Sequence, residues 1–272
     1  MIEVRLRGLM DGTIQAYCNL FSLPTVNDSF QNPMRILVLG DIHSNWAALS
    51  AIAEKFDYCV FTGDLVDYGT DPLPCVEWIR RHASAAVRGN HDHAVAQRVP
   101  AVGATGFRRL ARVTRPMHWE QLSPKQLKFL GRLPVTTHFR VDEVSILLVH
   151  ATPRDPMDEY LSADPVSWKQ RLADVDADIV CVGHSHIPFH LDLDGIQVLN
   201  PGSVGQPRDG DPRASYAIIE DGTVSLHRIE YDINAAINQV KSTGAEDWVV
   251  ELNAAIWRMG GKLTKEQMDQ FQ

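Results

Sequence analysis

Five stretches of this sequence end an apolar run in a side chain able to hold a metal ion. Asp41 and His43 follow RILVLG, Asp64 follows CVFTG, and Asn90 and His91 follow AAVRG. His150 ends SILLV, and His184 and His186 follow IVCVG. The set supplies imidazoles, carboxylates and one amide oxygen but no thiolate, a mixture that suits Mn, Fe, Co, Ni or Zn. It also exceeds what one ion needs. Two ions sharing a bridging carboxylate would use all of it, and ions about 3.5–4 Å apart serve in-line displacement at phosphorus. A lone Asp-x-His is most often a turn with a surface histidine; recurrence at successive strand ends gives the pattern its weight.

Positioning these groups requires strands that end at one edge. RILVLG, DYCVFTGD and ASAAVRGN read as buried strands separated by helical stretches, NWAALSAIAEKF with Asn45 as its N-cap and DPLPCVEWIRRH opening on prolines. The carboxyl ends of parallel strands form the crevice where ligands bind in α/β sheets. Gly40, Gly63, Gly89 and Gly183 precede or join the polar groups and allow tight turns. Residues i and i+2 of an extended segment face one side, so Asp41 with His43, and His184 with His186, are expected to present two ligands each.

From residue 97 to 133 the chain reads as helix, with breaks at Pro116 and Pro124. VTTHFRVDEVSILLVH reads as a hairpin, and Asp-Gly turns divide IPFHLDLDGIQVLNPGS and ASYAIIEDGTVSLHRIEYD into strand pairs. NAAINQVKSTG and WVVELNAAIW read as closing helices whose apolar faces would pack on the sheet or on a second copy of the chain. Parallel units first and hairpins later predict an α/β sandwich, with helices outside and mixed sheets inside.

The chain of 272 residues is 44% hydrophobic and 22% charged, ordinary for a globular protein. Its formal net charge of −8 argues against general nucleic-acid binding. No CxxC pair joins the four cysteines. No apolar run approaches the roughly eighteen residues of a membrane span, and the first residues lack a signal-peptide core. A cytoplasmic protein without membrane contact is the resulting expectation. Residues 1–33 have weak periodicity and read as an N-terminal extension, or as a start site placed too early. Residues 34–272 read as a single domain.

The blocks GDIH, GDLVD, RGNHD, LVHATP and GHSH, in this order, resemble the signature of the calcineurin-like metallophosphoesterases. GDLVDYGTDPLPCVEWI, HATPRDPMDEYL and NPGSVGQPRDGDPRASYAI resemble the small bacterial and archaeal phosphodiesterase branch. The resemblance spans about residues 34–231 and implies a four-layer α-β-β-α sandwich with mixed β-sheets. It implies two divalent metal ions, Mn²⁺ first, with Fe, Zn, Ni and Co as alternatives. One ion would be held by Asp41, His43, Asp64 and His186, the other by Asp64, Asn90, His150 and His184. A metal-bridging hydroxide would attack phosphorus. His91 would face the scissile phosphate and protonate the leaving oxygen or stabilise the transition state, with Asp92 orienting it. Asp67 is implied to support the ligands rather than to bind an ion.

One departure matters. Protein phosphatases of this superfamily carry Arg where this chain has Tyr68, so a phosphate-clamping guanidinium must come from elsewhere. Arg154 and Arg208 are candidates for substrate binding, each with a competing reading as the partner of its neighbouring aspartate, Asp155 or Asp209. The implied activity is hydrolysis of small nucleotide-type or similar phosphodiesters. A phosphomonoesterase, a dinucleoside polyphosphate hydrolase and a non-catalytic scaffold of the same fold are the alternatives. GxSxG, GxxxxGK[ST] and HExxH are absent. The remaining histidines, His118 among them, read as surface or helix-end groups.

Overall fold

A computed structural model describes residues 34–271; the expected N-terminal extension, 1–33, lies outside the described residues. Two five-stranded sheets face each other. The first contains β1 (Arg35–Leu39), β2 (Tyr58–Phe61), β3 (Ala85–Ala86), β9 (Ala214–Glu220) and β10 (Thr223–Ile229), in the order β10-β9-β1-β2-β3. The second contains β4 (Thr136–Val141), β5 (Val144–Val149), β6 (Ile179–Cys181), β7 (Phe189–Leu193) and β8 (Ile196–Asn200), in the order β4-β5-β6-β8-β7.

The sandwich follows from strands that are apolar on both faces. In β1, Ile36 and Val38 point between the sheets and meet Ile146, Leu148, Ile179 and Leu199 of the second sheet. The alternate residues Leu37 and Leu39 point outward and pack under Cys75, Val76 and Ile79. These last residues lie on α2 (Pro72–His82), which crosses over between β2 and β3. In the second sheet, Leu147, Val149 and Val180 point outward against Trp168. Each strand is covered on both sides, as parallel strands require. The layers are therefore helix, sheet, sheet, helix.

The strands β1, β2 and β3 are mutually parallel, as are β5, β6 and β8, whereas the hairpin partners β9, β4 and β7 run antiparallel. All six parallel strands thus deliver their carboxyl ends to one edge.

Local structure departs from expectation at three places. The helix after β1, α1 (Trp46–Ala51), is capped by Asn45 Oδ1 as predicted but ends before Lys55. Pro116 does not break its helix: α4 (Gly106–Gln121) runs through it, and Pro124 opens α5 (Pro124–Arg132). A short helix in the segment after His150, α6 (Pro165–Arg171), has no clear periodic signal; Asp164 caps it and Trp168 anchors it. Asn90–Ala96 forms α3. The chain closes with α7 (Ile233–Ser242), α8 (Asp247–Arg258) and α9 (Lys265–Asp269). Among the described residues no helix is long and apolar enough to cross a membrane.

Candidate metal centre

The predicted ligands converge at that edge in two groups. Asp41, His43, Asp64 and His186 present donor atoms within 4.8 Å of one another, and Asp64, His150 and His184 do the same. Asp64 belongs to both. All six side chains are buried, none more than 5% exposed. In the first group His186 Nε2 lies 3.3 Å from Asp41 Oδ1 and 3.2 Å from His43 Nε2. In the second, His150 Nε2 lies 3.2 Å from Asp64 Oδ2 and 3.1 Å from His184 Nδ1. Donors held about 2.1 Å from a common ion stand roughly 3.0–3.4 Å apart along a polyhedron edge. The spacings fit two such ions.

Hydrogen bonds on the far side of each ring fix which nitrogen faces the centre. His43 Nδ1 donates to Val66 O at 2.9 Å, and His186 Nδ1 to Gln206 O at 2.6 Å. His150 Nδ1 donates to Thr62 O at 2.9 Å, and His184 Nε2 to Asp158 O at 3.3 Å. A carbonyl only accepts, so the proton sits on the outer nitrogen. Burial lowers His43 to about 3 and His184 to about 4, and takes His186 well below its ordinary value. His43 and His186 are therefore neutral, and two bare nitrogen lone pairs face each other at 3.2 Å. That contact is repulsive unless a cation lies between them.

The other groups agree. Burial, then the nearby Asp64 charge, pushes Asp41 up to about 7, although His150 pulls the other way. Burial opposes the charge on Asp64, yet His150, His91 and His43 together hold its carboxyl well below the usual range. His150 rises to about 9: its burial is outweighed by Asp64 and Asp41. Asn90 Oδ1 is buried and has no hydrogen-bond partner, an orphan acceptor such as a cation would satisfy. The donors present fit the two ions implied by the sequence.

The backbone that presents these ligands is not extended. Asp41, His43, Asp64, His184 and His186 all have positive φ, between 46° and 66°. The i, i+2 pairs face one way because left-handed turns fold them together, not because they lie on a strand. Such residues cost about 1–3 kcal/mol each and persist only where the surroundings hold them. Here the holding groups are visible: His43 N donates to Asp64 O, Asp41 N to Gly63 O, and His184 N to the Asp41 carboxylate. The loop after β8 adds a clasp, with Ser203 Oγ donating to Asp41 O at 2.6 Å and Gly205 N to the same oxygen at 3.1 Å. Gly89 is required by contact: a Cβ there would lie 2.0 Å from Asp64 Oδ1.

His91 sits beside the first group, its ring 5.2 Å from that of His43. Asp92 does not orient it. Asp92 stands in the first turn of α3, and its carboxylate turns back to accept from the backbone N–H groups of Asp64, Leu65, Val66 and Gly89. It braces the Asp64 turn. The carboxylate on His91 is Asp67, whose Oδ2 accepts from His91 Nδ1 at 2.7 Å. Burial resists protonation of His91, but Asp64 and Asp67 outweigh it and raise the imidazole above its ordinary value.

Asp67 is held in turn by α4. Arg115 Nε and Nη2 donate to its Oδ2 at 2.9 and 2.5 Å, and Asp67 N donates to His118 Nδ1. His118 Nε2 donates to Gly69 O. His118 is thus fully buried, not a surface group. Residues 114, 115 and 118 lie on one face of a helix, the signal by which this brace could have been found.

The two candidate arginines separate. Arg154 is 63% exposed and pairs with Glu159, rather than with Asp155 or the metal groups. Arg208 lies half-buried beside them: its charge bears on Asp41, His43, His184 and His186. Its neighbour Asp209 pairs with Arg228 instead. The Arg208 guanidinium lies over the Phe107 ring and donates to Tyr160 Oη at 3.2 Å and to Gln206 Oε1 at 3.3 Å, leaving Nε without an acceptor. Tyr68, in the place of the missing arginine, accepts or donates at His91 Nε2 across 3.1 Å. Tyr160, which the sequence reading passed over, lies against the His184 ring at 3.9 Å.

Comparisons with known proteins agree with this geometry. The sequence model of the calcineurin-like phosphoesterase superfamily domain matches residues 34–223. An uncharacterised protein of Methanocaldococcus jannaschii is 34% identical over 241 residues, covering 79% of this chain and 96% of that protein. The crystal structure of a metallophosphoesterase from Sphaerobacter thermophilus is 33% identical, with a TM-score of 0.70, covering 83% of this chain and all of that one. A hypothetical protein of Pyrococcus horikoshii, 20% identical with a TM-score of 0.71 over 85% of this chain and 100% of its own, shares the fold. The chain belongs to the calcineurin-like phosphoesterase superfamily and is a metal-dependent phosphoester hydrolase.

Proposed function

We propose that the chain is a phosphodiesterase acting on small nucleotide-type or similar diesters. The carrying observation is Arg208, a half-buried guanidinium whose charge reaches both ligand groups and which forms no ion pair with a carboxylate among the described residues. Its Nε is buried and has no acceptor, a donor that an anionic oxygen would satisfy. One guanidinium suits the single charge of a diester, whose two non-bridging oxygens match its fork.

Asp41, His43, Asp64 and His186 would hold one ion, and Asp64, Asn90, His150 and His184 the other; the mixed imidazole, carboxylate and amide donors admit Mn²⁺, our first choice, as well as Fe, Zn, Ni or Co. When bound, the two ions supply Lewis-acid polarisation of the phosphoryl group and a water acidic enough to act as nucleophile. The protein does the rest. Arg208 binds the non-bridging oxygens. His91, protonated and steered by Asp67, gives its Nε2 proton to the leaving oxygen. Tyr68 holds that proton in place until substrate arrives. Buried free thiols at Cys59, Cys75 and Cys181 suit a reducing compartment, and we place the protein in the cytoplasm.

Rates on Mn²⁺-loaded protein test this reading, with bis-p-nitrophenyl phosphate, p-nitrophenyl phosphate, cyclic nucleotides and dinucleoside polyphosphates compared. The diesters should lead in kcat/KM. A monoester or a dinucleoside polyphosphate at the head of the series would replace the proposal. Arg208→Gln should lower kcat/KM roughly 10–150-fold, the worth of a charge-assisted contact.

A further inference from the structure

The segment between β5 and α6 forms neither helix nor strand, and it carries Tyr160. Tyr160 is 63% exposed. Every other phenylalanine, tyrosine and tryptophan among the described residues is buried or half-buried. A single exposed apolar side chain is normal on a protein surface and needs no function. Tyr160 differs in being held, and in what holds it.

Its ring lies against that of His184, with centroids 3.9 Å apart and planes tilted by 36°. Its hydroxyl accepts from Arg208 Nη1 at 3.2 Å. The chain just before it is anchored as well. Glu159 accepts from Thr152 Oγ1 at 2.5 Å and from Arg171 Nη2 at 2.8 Å, and Asp158 O accepts from His184 Nε2 at 3.3 Å. The ring is therefore fixed in place before any ligand arrives, and a preorganised group loses little freedom on binding.

The placement gives the ring a use. His184 covers one face, so the exposed area belongs to the other face and to the ring edge. That open face adjoins the second ligand group and stands one hydrogen bond from the guanidinium whose buried Nε lacks an acceptor. Arg208 is fixed from a second direction by the Phe107 ring, 4.6 Å from its guanidinium carbon. A phosphate taken by Arg208 thus arrives beside a flat apolar surface. A planar aromatic substituent on that phosphate can stack there, whereas an alkyl chain or a bare sugar has no matching face.

We propose that Tyr160 determines specificity, its open face stacking on a nucleobase or other aryl group of the phosphate ester held at Arg208. The chain then selects nucleoside- and aryl-bearing esters over alkyl and sugar esters. This rests on the reading above for the place of the phosphate at Arg208. Stacking tolerates any base, so the platform distinguishes a base from no base rather than one base from another.

Calorimetry on the Mn²⁺-loaded protein tests the proposal with two probes, the phosphonate analogues of adenosine 5′-monophosphate and of ribose 5-phosphate. In both a CH₂ group replaces the ester oxygen, so neither is hydrolysed, and they differ only in the base. The adenosine analogue should bind about 5–150-fold more tightly, the worth of stacking one base on one ring. Tyr160→Leu should lower that ratio at least about fivefold, and Tyr160→Phe, which keeps the ring and loses the hydroxyl, should hold it within about twofold. Taking the ratio within each variant cancels any change at Arg208 or in the metals, which both probes feel alike. A ratio near one in the wild-type chain, a ratio kept by Tyr160→Leu, or an equal loss in Tyr160→Phe would each overturn the proposal. No turnover enters this measurement. A monoester leading the substrate panel would replace the diesterase reading and leave the platform standing, while a ratio near one would remove the platform and leave that reading.

Discussion

Replacing Asp67 by Asn removes one charge from the core of the site and leaves its shape. Asp67 Oδ2 now accepts from His91 Nδ1 at 2.7 Å and from Arg115 Nε and Nη2 at 2.9 and 2.5 Å, and the residue is fully buried. A neutral amide keeps one acceptor but leaves the Arg115 guanidinium, 8% exposed, without its counter-charge. Breaking a buried pair costs about 3 kcal/mol at the low end of the observed range. At 2–4 °C per kcal/mol for a chain of this size, the melting temperature should fall by roughly 6–12 °C. The catalytic effect should depend on the leaving group. His91 matters only where the departing oxygen needs a proton, and general-acid catalysis is worth about 10²–10⁴-fold. Asp67→Asn should therefore lower kcat about 100-fold on an alkyl or nucleoside diester, yet only a few-fold on bis-p-nitrophenyl phosphate, whose phenolate leaves unaided. Arg115→Gln is the control: it disturbs the same buried pair but leaves Asp67 on His91. Steady-state rates across a series of leaving groups read the difference. Equal losses on all substrates, or the same leaving-group trend in Arg115→Gln, would refute the role given to Asp67.

Gly89→Ala should weaken metal binding about 10–100-fold while the fold survives, because its Cβ would strike Asp64 Oδ1; calorimetric titration with Mn²⁺ reads this. Removing the metals with EDTA should lower the melting temperature by roughly 10–20 °C, from about 2.7 kcal/mol of binding energy lost per ion, about 5.4 for the two, at a hundredfold excess over Kd. The Arg171 ion pair, opposed by partial burial and assisted by Thr152 and Arg154, holds Glu159 down at about 2, below the ordinary carboxylate value of 4.5. Its folded pKa is depressed, so its contribution is complete above about pH 4.5 and is lost as pH falls toward 2. After screening by solvent this is of the order of 1 kcal/mol, and denaturant titrations between pH 6 and 3 should show wild-type stability falling more steeply than that of Glu159→Gln.

The parts of the site that were legible in the sequence are those written as residue type at a strand end. Asp41, Asp64, His150 and His184 each follow an apolar run, and strand ends map onto one edge whenever the strands are parallel. The sandwich was legible for a related reason: Ile36 to Leu39 are apolar at every position, which marks a strand covered on both faces. What escaped depends on backbone hand and on contacts between distant segments. No spacing rule distinguishes an extended Asp-x-His from one folded by positive φ, and the structure uses the second. Asp92 is next to His91 in sequence, but α3 starts there and turns the two side chains apart, while the reversal at Asp67 and Tyr68 brings Asp67 back to His91. Arg154 and Arg208 were indistinguishable as letters beside an aspartate. Glu159, twelve residues before Arg171, captures the loop that carries Arg154, and Arg228 captures Asp209 and frees Arg208.

The central claim is a pair of metal ions sharing Asp64, and metal content measured directly on the purified chain tests it. Protein equilibrated with excess Mn²⁺ and freed of unbound ion should retain two ions per chain, and Asp64→Ala, folded by circular dichroism, should retain none or one with no diesterase activity. One ion or none in the wild-type chain, or two in Asp64→Ala, would contradict the account.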